Sequence, residues 1–306
     1  MRKVLLAFCI AVSLSTSACV SLNAVTVPSP VASIVSSNAP PLWRHGPVVS
    51  GARDATFGLY RCPGPAAGAL CATVVLCKGK KCVSVPDMLV DSGSNVLVVR
   101  ERTVASLLTG DTHDSKHLRY GSWDCFEAKC TVATGGFRTI TAKTGDIAVK
   151  DAPVFVARSI TYGGHNADYI ENGVLGIGGA MSSFRYSINR DQVFYYGPDA
   201  LVYLHINGFK GYGEVLDTRL FAHKYPNIHA SRMFFGVVDT GSNLKDFGVV
   251  GVLYTMLLAV DFELNPAHSH IIGRRDIKDG LVINQTTGCA QITGGQYRHI
   301  IVCPPF

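Results

Sequence analysis

Two aspartates stand in the same local sequence in different halves of the chain. Each follows an apolar run and precedes a hydroxyl residue, a glycine, a serine and an asparagine: Asp91-Ser92-Gly93-Ser94-Asn95 and Asp239-Thr240-Gly241-Ser242-Asn243. Two carboxylates held about 3 Å apart cannot both ionise, so they share one proton. One then acts as the base for a bound water while its partner donates a proton to a carbonyl oxygen. The repeated motif therefore predicts paired acid–base chemistry that requires no metal or cofactor.

A second short pattern follows each aspartate. Gly173-Val174-Leu175-Gly176 comes after the first aspartate, and His270-Ile271-Ile272-Gly273 comes after the second. One apolar run ending in glycine has no weight as a motif. The same order after both aspartates indicates two related half-units within one chain.

Short β-rich runs separated by turn residues recur from Phe57 onward, which predicts an all-β fold. Nine runs are predicted as strands: residues 72–76, 83–85, 88–90, 96–99, 147–149, 154–156, 202–206, 234–238 and 281–283. Residues 100–108 and 249–260 are predicted as helices, and each segment follows an aspartate motif. Each aspartate therefore stands directly after a predicted strand.

The two motifs resemble those of pepsin-like aspartic proteases, and the chain is similar to the divergent bacterial relatives of pepsins and retropepsins. The resemblance covers residues 72–292, where residues 271–274 are closest to the retropepsin form and residues 281–292 resemble the closing hairpin of a pepsin lobe. It implies a bilobal all-β fold that hydrolyses peptide bonds in a peptide or protein substrate. Asp91 and Asp239 match the two catalytic aspartates.

The resemblance also implies supporting roles for the residues that follow each aspartate: Ser92, Gly93, Ser94, Thr240, Gly241 and Ser242. The first hydroxyl residue of each motif would bridge the two lobes. The serine after each glycine would hydrogen-bond the outer carboxylate oxygen. The glycines would let the chain turn tightly beneath each carboxylate, where backbone amides can orient it.

Two features depart from the family pattern. Only 34 residues separate Asp239 from Gly273, so the second lobe is expected to be abridged. Tyr120 begins a Tyr-Gly-Ser sequence that resembles the flap motif, and its alternative role is that of a buried sheet tyrosine. The abridged lobe leaves a second interpretation open, a non-catalytic surface or periplasmic binding protein on a protease-like scaffold.

The N-terminal segment has the pattern of an exported protein. A basic start, an apolar run over residues 4–14 and small residues over 15–18 are typical of a signal peptide. The expected division of the chain is a signal peptide at 1–18, a tether or leader at 19–56, an N-terminal β lobe at 57–188 and a C-terminal β lobe at 189–306. Cys19 follows a sequence that resembles the lipoprotein cleavage box, so a lipid anchor on Cys19 and ordinary signal cleavage both stay open.

Eight cysteines remain after Cys9 and Cys19, and they fall into couples that are close in sequence. The predicted disulfides are Cys62–Cys71, Cys77–Cys82, Cys125–Cys130 and Cys289–Cys303. The second and third couples each bracket four residues between apolar runs, as in a hairpin with a cross-strand disulfide. Disulfides predict an oxidising compartment, so the protein is expected to be secreted or periplasmic. A zinc site on the two short spacings is the alternative.

Composition limits the remaining function classes. The chain is 47% hydrophobic and 16% charged, which allows a sizeable core and excludes a wholly disordered protein. The formal charge of +6 falls to +4 if Arg2 and Lys3 leave with the signal peptide, which is too small to indicate a nucleic-acid partner. The sequence lacks the motifs of serine hydrolases, phosphate-binding loops and zincins, and His268 and His270 lack a third metal ligand. No cofactor is expected.

Overall fold

A computed structural model describes residues 55–108, 116–120, 131–162, 164–167, 170–179, 194–197, 200–241 and 270–303. The described part of the chain is mostly β, with sixteen strands and two short α-helices. Several predictions lie outside the described residues: the signal peptide, the tether up to residue 54, the helix at 249–260, Ser242, Cys19 and the Cys125–Cys130 disulfide.

The first half of the fold contains nine strands and one helix. The strands are β1 (Ala55–Arg61), β2 (Leu70–Lys78), β3 (Lys81–Asp91), β4 (Leu97–Arg100), β5 (Lys116–Tyr120), β6 (Thr131–Thr144), β7 (Ile147–Tyr162), β8 (His165–Asn166) and β9 (Gly173–Gly176). Helix α1 (Glu101–Val104) follows β4 and continues as a 3-10 turn. The predicted helix at 100–108 is thus present in shorter and tighter form.

The second half contains seven strands and one helix. The strands are β10 (Ala200–Asn207), β11 (Lys210–Asp217), β12 (Arg232–Asp239), β13 (His270–Gly273), β14 (Lys278–Asn284), β15 (Ala290–Gly294) and β16 (Ile300–Cys303). Helix α2 (Thr218–Lys224) follows β11, and its N-cap residue Asp217 accepts a hydrogen bond of 2.7 Å from the Leu220 N–H. The hairpin of β14 and β15 is the closing hairpin expected from the sequence.

The strands follow one continuous path in which β1 is the junction. Their order is β13-β12-β16-β15-β14-β10-β11-β1-β2-β3-β9-β4-β7-β6-β5, with β8 paired to β7. An additional pairing of β2 with β6 closes six of these strands into a barrel. β1 pairs antiparallel with β11 along Ala55–Leu59 and with β2 at Tyr60 and Arg61. Strands from the two halves therefore lie on opposite sides of β1 in this order.

The hydrophobic core extends across this junction. Its largest cluster contains Val90 and Leu175 from the first half together with Val238 and Ile272 from the second. These four residues belong to the strands that carry the aspartates and to their neighbours, so one core supports both motifs. Packing of this kind restricts how far the two motifs can shift, because protein interiors are close-packed.

Two pairs of predicted strands merge into single longer strands. Residues 83–85 and 88–90 both lie in β3, and residues 147–149 and 154–156 both lie in β7. Pro86 and Asp87 have the composition of a turn, but Asp87 adopts a φ of 56° and donates its N–H to the Tyr60 hydroxyl at 2.7 Å. The chain therefore forms an irregularity within the strand, which resumes on the other side.

Three of the predicted disulfides are present: Cys62–Cys71, Cys77–Cys82 and Cys289–Cys303. Each joins neighbouring parts of a sheet, and together they indicate an oxidising, extracytoplasmic environment. Among the described residues, no helix is long and apolar enough to span a membrane.

The buried carboxylate of Glu214 on β11 is the centre of a cluster of polar side chains. Glu214 is 1% exposed, accepts a hydrogen bond of 2.6 Å from the Tyr225 hydroxyl and forms an ion pair with Lys224. His205 on β10 lies 3.2 Å from the same carboxylate and stacks on the ring of Tyr212. Desolvation lowers the pKa of His205 in spite of the opposing effect of Glu214, so the imidazole is held mainly in its neutral form.

Candidate active site

Both aspartates end a strand that is flanked by the glycine-containing strand of its own half. β3 and β9 are parallel, and Asp91 stands opposite Gly176. β12 and β13 are also parallel, and Asp239 stands opposite Gly273. The two half-units inferred from the sequence therefore have the same strand register. In each half-unit the aspartate ends one strand of a parallel pair and stands opposite the last glycine of the other strand.

The two motif glycines lie against both carboxylates. A Cβ atom added at Gly93 would lie 2.9 Å from Asp239 Cγ and 3.1 Å from Asp91 Oδ1. A Cβ atom added at Gly241 would lie 3.0 Å from Asp91 Cγ and 3.3 Å from Asp239 Oδ1. The carboxylates thus border the same space, and each glycine approaches the aspartate of the other half.

Lack of space, more than turn geometry, requires glycine at these two positions. Neither Gly93 nor Gly241 has a φ in the left-handed region, so another residue could adopt the local backbone. A methyl group at Gly93 would force the Asp239 carboxylate to shift, and one at Gly241 would press on the Asp91 carboxylate carbon, 3.0 Å away. The tight turn expected from the sequence is therefore a smaller constraint than the close approach of the two side chains.

Both carboxylates are largely buried, and a backbone N–H orients that of Asp91. Asp91 is 9% exposed and Asp239 is 8% exposed. The Gly93 N–H donates a hydrogen bond of 2.8 Å to Asp91 Oδ1. This hydrogen bond from the backbone fixes the direction in which the Asp91 side chain points.

The hydroxyl residues next to the aspartates join the two halves by four reciprocal hydrogen bonds. The Ser92 hydroxyl donates to the Val238 carbonyl and accepts from the Thr240 N–H at 3.0 Å. The Thr240 hydroxyl donates to the Val90 carbonyl at 2.8 Å and accepts from the Ser92 N–H at 3.0 Å. Both side chains are buried. This hydroxyl cross-link holds the ends of β3 and β12 together directly beneath the carboxylates.

The remaining predicted site residues lie around this centre or outside the described residues. Ser94 is buried, and its carbonyl accepts a hydrogen bond of 2.8 Å from the Gly178 N–H. Among the described residues, its hydroxyl does not bond to Asp91, so its role at the outer carboxylate oxygen stays a prediction. Tyr120 ends β5, the last strand of the sheet path, and its flap role also stays a prediction.

Two buried amides near the site, Asn95 and Gln285, were given no role by the sequence analysis. Gln285 accepts a hydrogen bond of 2.8 Å from the Tyr196 N–H and donates to the Ile177 carbonyl at 3.3 Å. The Ile177 N–H in turn donates to the backbone carbonyl of Asp91 at 2.9 Å. Asn95 donates to the Gly179 carbonyl at 3.4 Å. Asn95 recurs as Asn243 in the second motif, which is a usable signal, whereas nothing in the sequence marks Gln285.

The surroundings of the two aspartates can be compared with the ligand sets of metal sites. Within the described part of the chain, no group of three or more His, Cys, Asp and Glu residues is arranged to hold a metal ion. The cysteines of the Cys77–Cys82 couple, which could have ligated zinc, are joined in a disulfide.

Comparisons with known proteins give a distant structural likeness. No protein-family model and no curated protein matches the sequence. Among solved structures, the chain is similar to the crystal structure of an aspartic proteinase from Irpex lacteus, with 13% sequence identity and a TM-score of 0.35. The match covers 53% of this chain and 47% of that proteinase, so it spans about half of either protein.

Proposed function

We propose that the chain is an exported aspartic endopeptidase that hydrolyses peptide bonds through Asp91 and Asp239. The observation that carries this proposal is the reciprocal approach of Gly93 and Gly241, each of which is bordered by both carboxylates. Carboxylates that share one site share a proton, and this supplies an acid and a base in the same place. The proposed substrate is a peptide or protein. The proposed architecture is bilobal, with an abridged second lobe.

The reaction begins with the addition of water to the scissile carbonyl. The ionised carboxylate removes a proton from a bound water, whose oxygen bonds to the carbonyl carbon. The protonated carboxylate gives its proton to the carbonyl oxygen. Because titration belongs to the coupled pair, neither Asp91 nor Asp239 is assigned the proton.

The tetrahedral intermediate then collapses and restores the pair. The C–N bond breaks as the nitrogen takes the proton that came from water, and the carbonyl forms again as its hydroxyl returns a proton to the other carboxylate. The products are a carboxylic acid and an amine, and no covalent enzyme intermediate forms. One proton remains on the pair, which is ready for another cycle.

The hydroxyl cross-link supports this mechanism as a positioning device. It joins the residues directly after Asp91 and Asp239 across the two halves, with every hydrogen bond buried. Two catalytic groups that must act on one water have to stay within a fraction of an ångström of their working positions, since a displacement of about 1 Å costs on the order of a hundredfold in rate.

Substitution of either aspartate by asparagine tests the proposal. Asp91→Asn and Asp239→Asn are each expected to reduce cleavage of a peptide library by about a thousandfold or more, because the amide can neither accept the water proton nor share one. The double variant is expected to be scarcely worse, since the two groups act as a unit. Asp151→Asn is the matched control, because Asp151 is exposed and has a φ of 52° that asparagine tolerates.

The pH dependence of peptide cleavage is a second test of the proposal. Activity is expected to rise as the pH falls from neutral towards the range in which the pair holds one proton, and a transition-state inhibitor of aspartic proteases should abolish it. Near-normal cleavage by either single variant, with folding verified by circular dichroism, would refute the mechanism. The binding-protein interpretation would then account for the scaffold.

A further inference from the structure

The Cys77–Cys82 disulfide differs from the other two described disulfides in its exposure. Cys77 is buried, whereas Cys82 is an exposed residue. In the other two disulfides every cysteine is buried: Cys62, Cys71, Cys289 and Cys303. An attacking thiolate must reach a sulfur atom, so exposed disulfides exchange more readily than buried ones. Among the described disulfides, Cys77–Cys82 is therefore the one open to exchange, and the accessible side is that of Cys82.

Three lysines surround this disulfide. Lys78 and Lys81 pair across the strands directly beyond the two cysteines, and Lys80 lies in the turn between them. All three are exposed, and residues 70–86 contain no aspartate or glutamate. At physiological ionic strength charges act over about 8 Å, which is comparable to the spacing of neighbouring side chains. The disulfide therefore lies in a positively charged environment, which attracts an anionic reagent and stabilises a cysteine thiolate.

Backbone pairing holds the hairpin together without the disulfide. β2 and β3 pair antiparallel up to the turn, and residues 75–77 of β2 also pair with β6 on the other side. Opening the S–S bond leaves these hydrogen-bonded strands in place. The reduced Cys77 and Cys82 would stay opposite each other, so the bond can form again. The fold therefore allows reversible exchange at this position.

We propose that Cys77–Cys82 is a thiol–disulfide exchange site for an anionic low-molecular-weight thiol. The thiolate attacks Cys82 Sγ, the S–S bond breaks, and Cys77 leaves as a thiolate with the electron pair of that bond. A second thiolate then attacks the sulfur that the first one contributed, which releases Cys82 as a thiolate. Two thiols are oxidised to their disulfide while one protein disulfide is reduced. The proposal is independent of peptide hydrolysis, because no step involves the aspartates.

Trapping the first step shows which sulfur is attacked. The oxidised exported protein is mixed with reduced glutathione and quenched with iodoacetamide, and peptide mass mapping follows each disulfide separately. Cys77–Cys82 is expected to open about tenfold faster or more than either buried disulfide. Glutathione should be found on Cys82 and the alkyl group on Cys77. Opening no faster than a buried disulfide, or glutathione mainly on Cys77, would overturn the proposal.

Thiols of different charge test the part played by the lysines. The rate of opening is measured with glutathione, which is anionic, and with cysteamine, whose ammonium group offsets the thiolate charge. Replacing Lys78, Lys80 and Lys81 with glutamine is expected to lower the ratio of the glutathione rate to the cysteamine rate by about fivefold. Replacing them with arginine should preserve the ratio, because the charge is kept.

The matched control removes three positive charges elsewhere: Lys210→Gln, Lys278→Gln and Arg298→Gln. Lys210 precedes Gly211, which pairs with Leu59 of β1, so it lies towards the Leu70 end of β2. Cys77 is at the other end of that strand, about 23 Å away at 3.3 Å per residue. This control should keep the ratio of the parent protein. An equal fall in both glutamine variants, or no fall in the hairpin variant, would overturn the assignment of an anionic thiol.

Discussion

At the scale of single residues, Gly93 is the most sensitive position of the candidate site. Gly93→Ala is expected to reduce kcat/KM for peptide cleavage by about a hundredfold or more, because the added methyl group would displace Asp239 and Asp91 from each other. The protein should still fold, since the local backbone suits alanine. Kinetics together with a thermal unfolding curve measure both effects.

Gly58→Ala is the control for this substitution, because a Cβ atom at Gly58 would meet nothing within 4 Å. It is expected to leave kcat/KM within about twofold and stability nearly unchanged. Full activity in the Gly93 variant would show that the carboxylates do not depend on their close approach.

His205 is expected to make the fold less stable in acid. Burial lowers its pKa in the folded protein below the ordinary value of 6.5, so the unfolded chain binds a proton first as the pH falls. The loss of stability begins near pH 6.5 and continues until the folded form is also protonated. His205→Gln should therefore flatten the fall in melting temperature below pH 6.5, whereas His165→Gln, on exposed β8, should not. Parallel pH profiles for the parent and the His205 variant would contradict this assignment.

The pair of aspartate motifs could be predicted from the sequence because each motif consists of adjacent residues. Asp91 and Asp239 stand in two copies of one short pattern, and the repetition is what gives the pattern weight. The hydrogen bonds of Gln285 could not be predicted in the same way. They depend on Ile177 and Tyr196, which lie 108 and 89 residues before Gln285 in the sequence and are brought to it only by the fold.

At the scale of elements, Gln285 links β14 to the segment that follows β9. Gln285→Ala is expected to lower the free energy of unfolding by about 1–3 kcal/mol more than Gln291→Ala, because it leaves a buried N–H and a buried carbonyl without their partner. Gln291 is the matched control, since it is also buried and its side-chain oxygen has no hydrogen-bond partner among the described residues. Denaturant unfolding of both variants gives the difference.

A reduced kcat with unchanged KM is expected in the Gln285 variant as well. The Ile177 carbonyl accepts a hydrogen bond from the Gln285 side chain, and the Ile177 N–H donates to the Asp91 backbone carbonyl. A movement of Ile177 would therefore also move the Asp91 backbone and its carboxylate. If Gln285→Ala lowered neither the free energy of unfolding nor kcat more than Gln291→Ala does, the hydrogen bonds of Gln285 would not stabilise the fold or position the site.

Strand positions were predicted only in part, and strand lengths were not predicted. The nine predicted runs fall in seven strands, whereas β1, β6 and β11 were not among them. Apolar runs mark the buried parts of β3 and β7, but the polar residues between them look like turns. Asp87 and Asp151 both adopt positive φ values within their strands, so the chain passes through an irregularity where the composition predicts an end. The pattern of apolar residues indicates which residues are buried. It does not show where the hydrogen bonds of a strand continue through polar residues.

At the scale of the whole molecule, a lipid anchor on Cys19 stays a prediction that fractionation can test. Replacing Cys19 with serine is expected to move the protein from the membrane fraction to the soluble fraction, because buried acyl chains supply most of the affinity of an anchored protein. Cell fractionation followed by immunoblotting measures the change. Cys9→Ser is the control, since Cys9 lies within the predicted signal peptide and its replacement should leave the distribution unaltered. An unchanged distribution after Cys19→Ser would assign Cys19 to an ordinary leader.

The position of β1 also has a consequence for the order in which the chain folds. β1 is the first described strand, yet one of its partners, β11, is made about 150 residues later. Contacts between residues so far apart in sequence form slowly, because a long loop must close first. As the chain emerges from the ribosome, the first half can form its barrel contacts but β1 still lacks one neighbour. Completion of the fold must wait for the second half, which favours a chain that is still open when it reaches the export machinery.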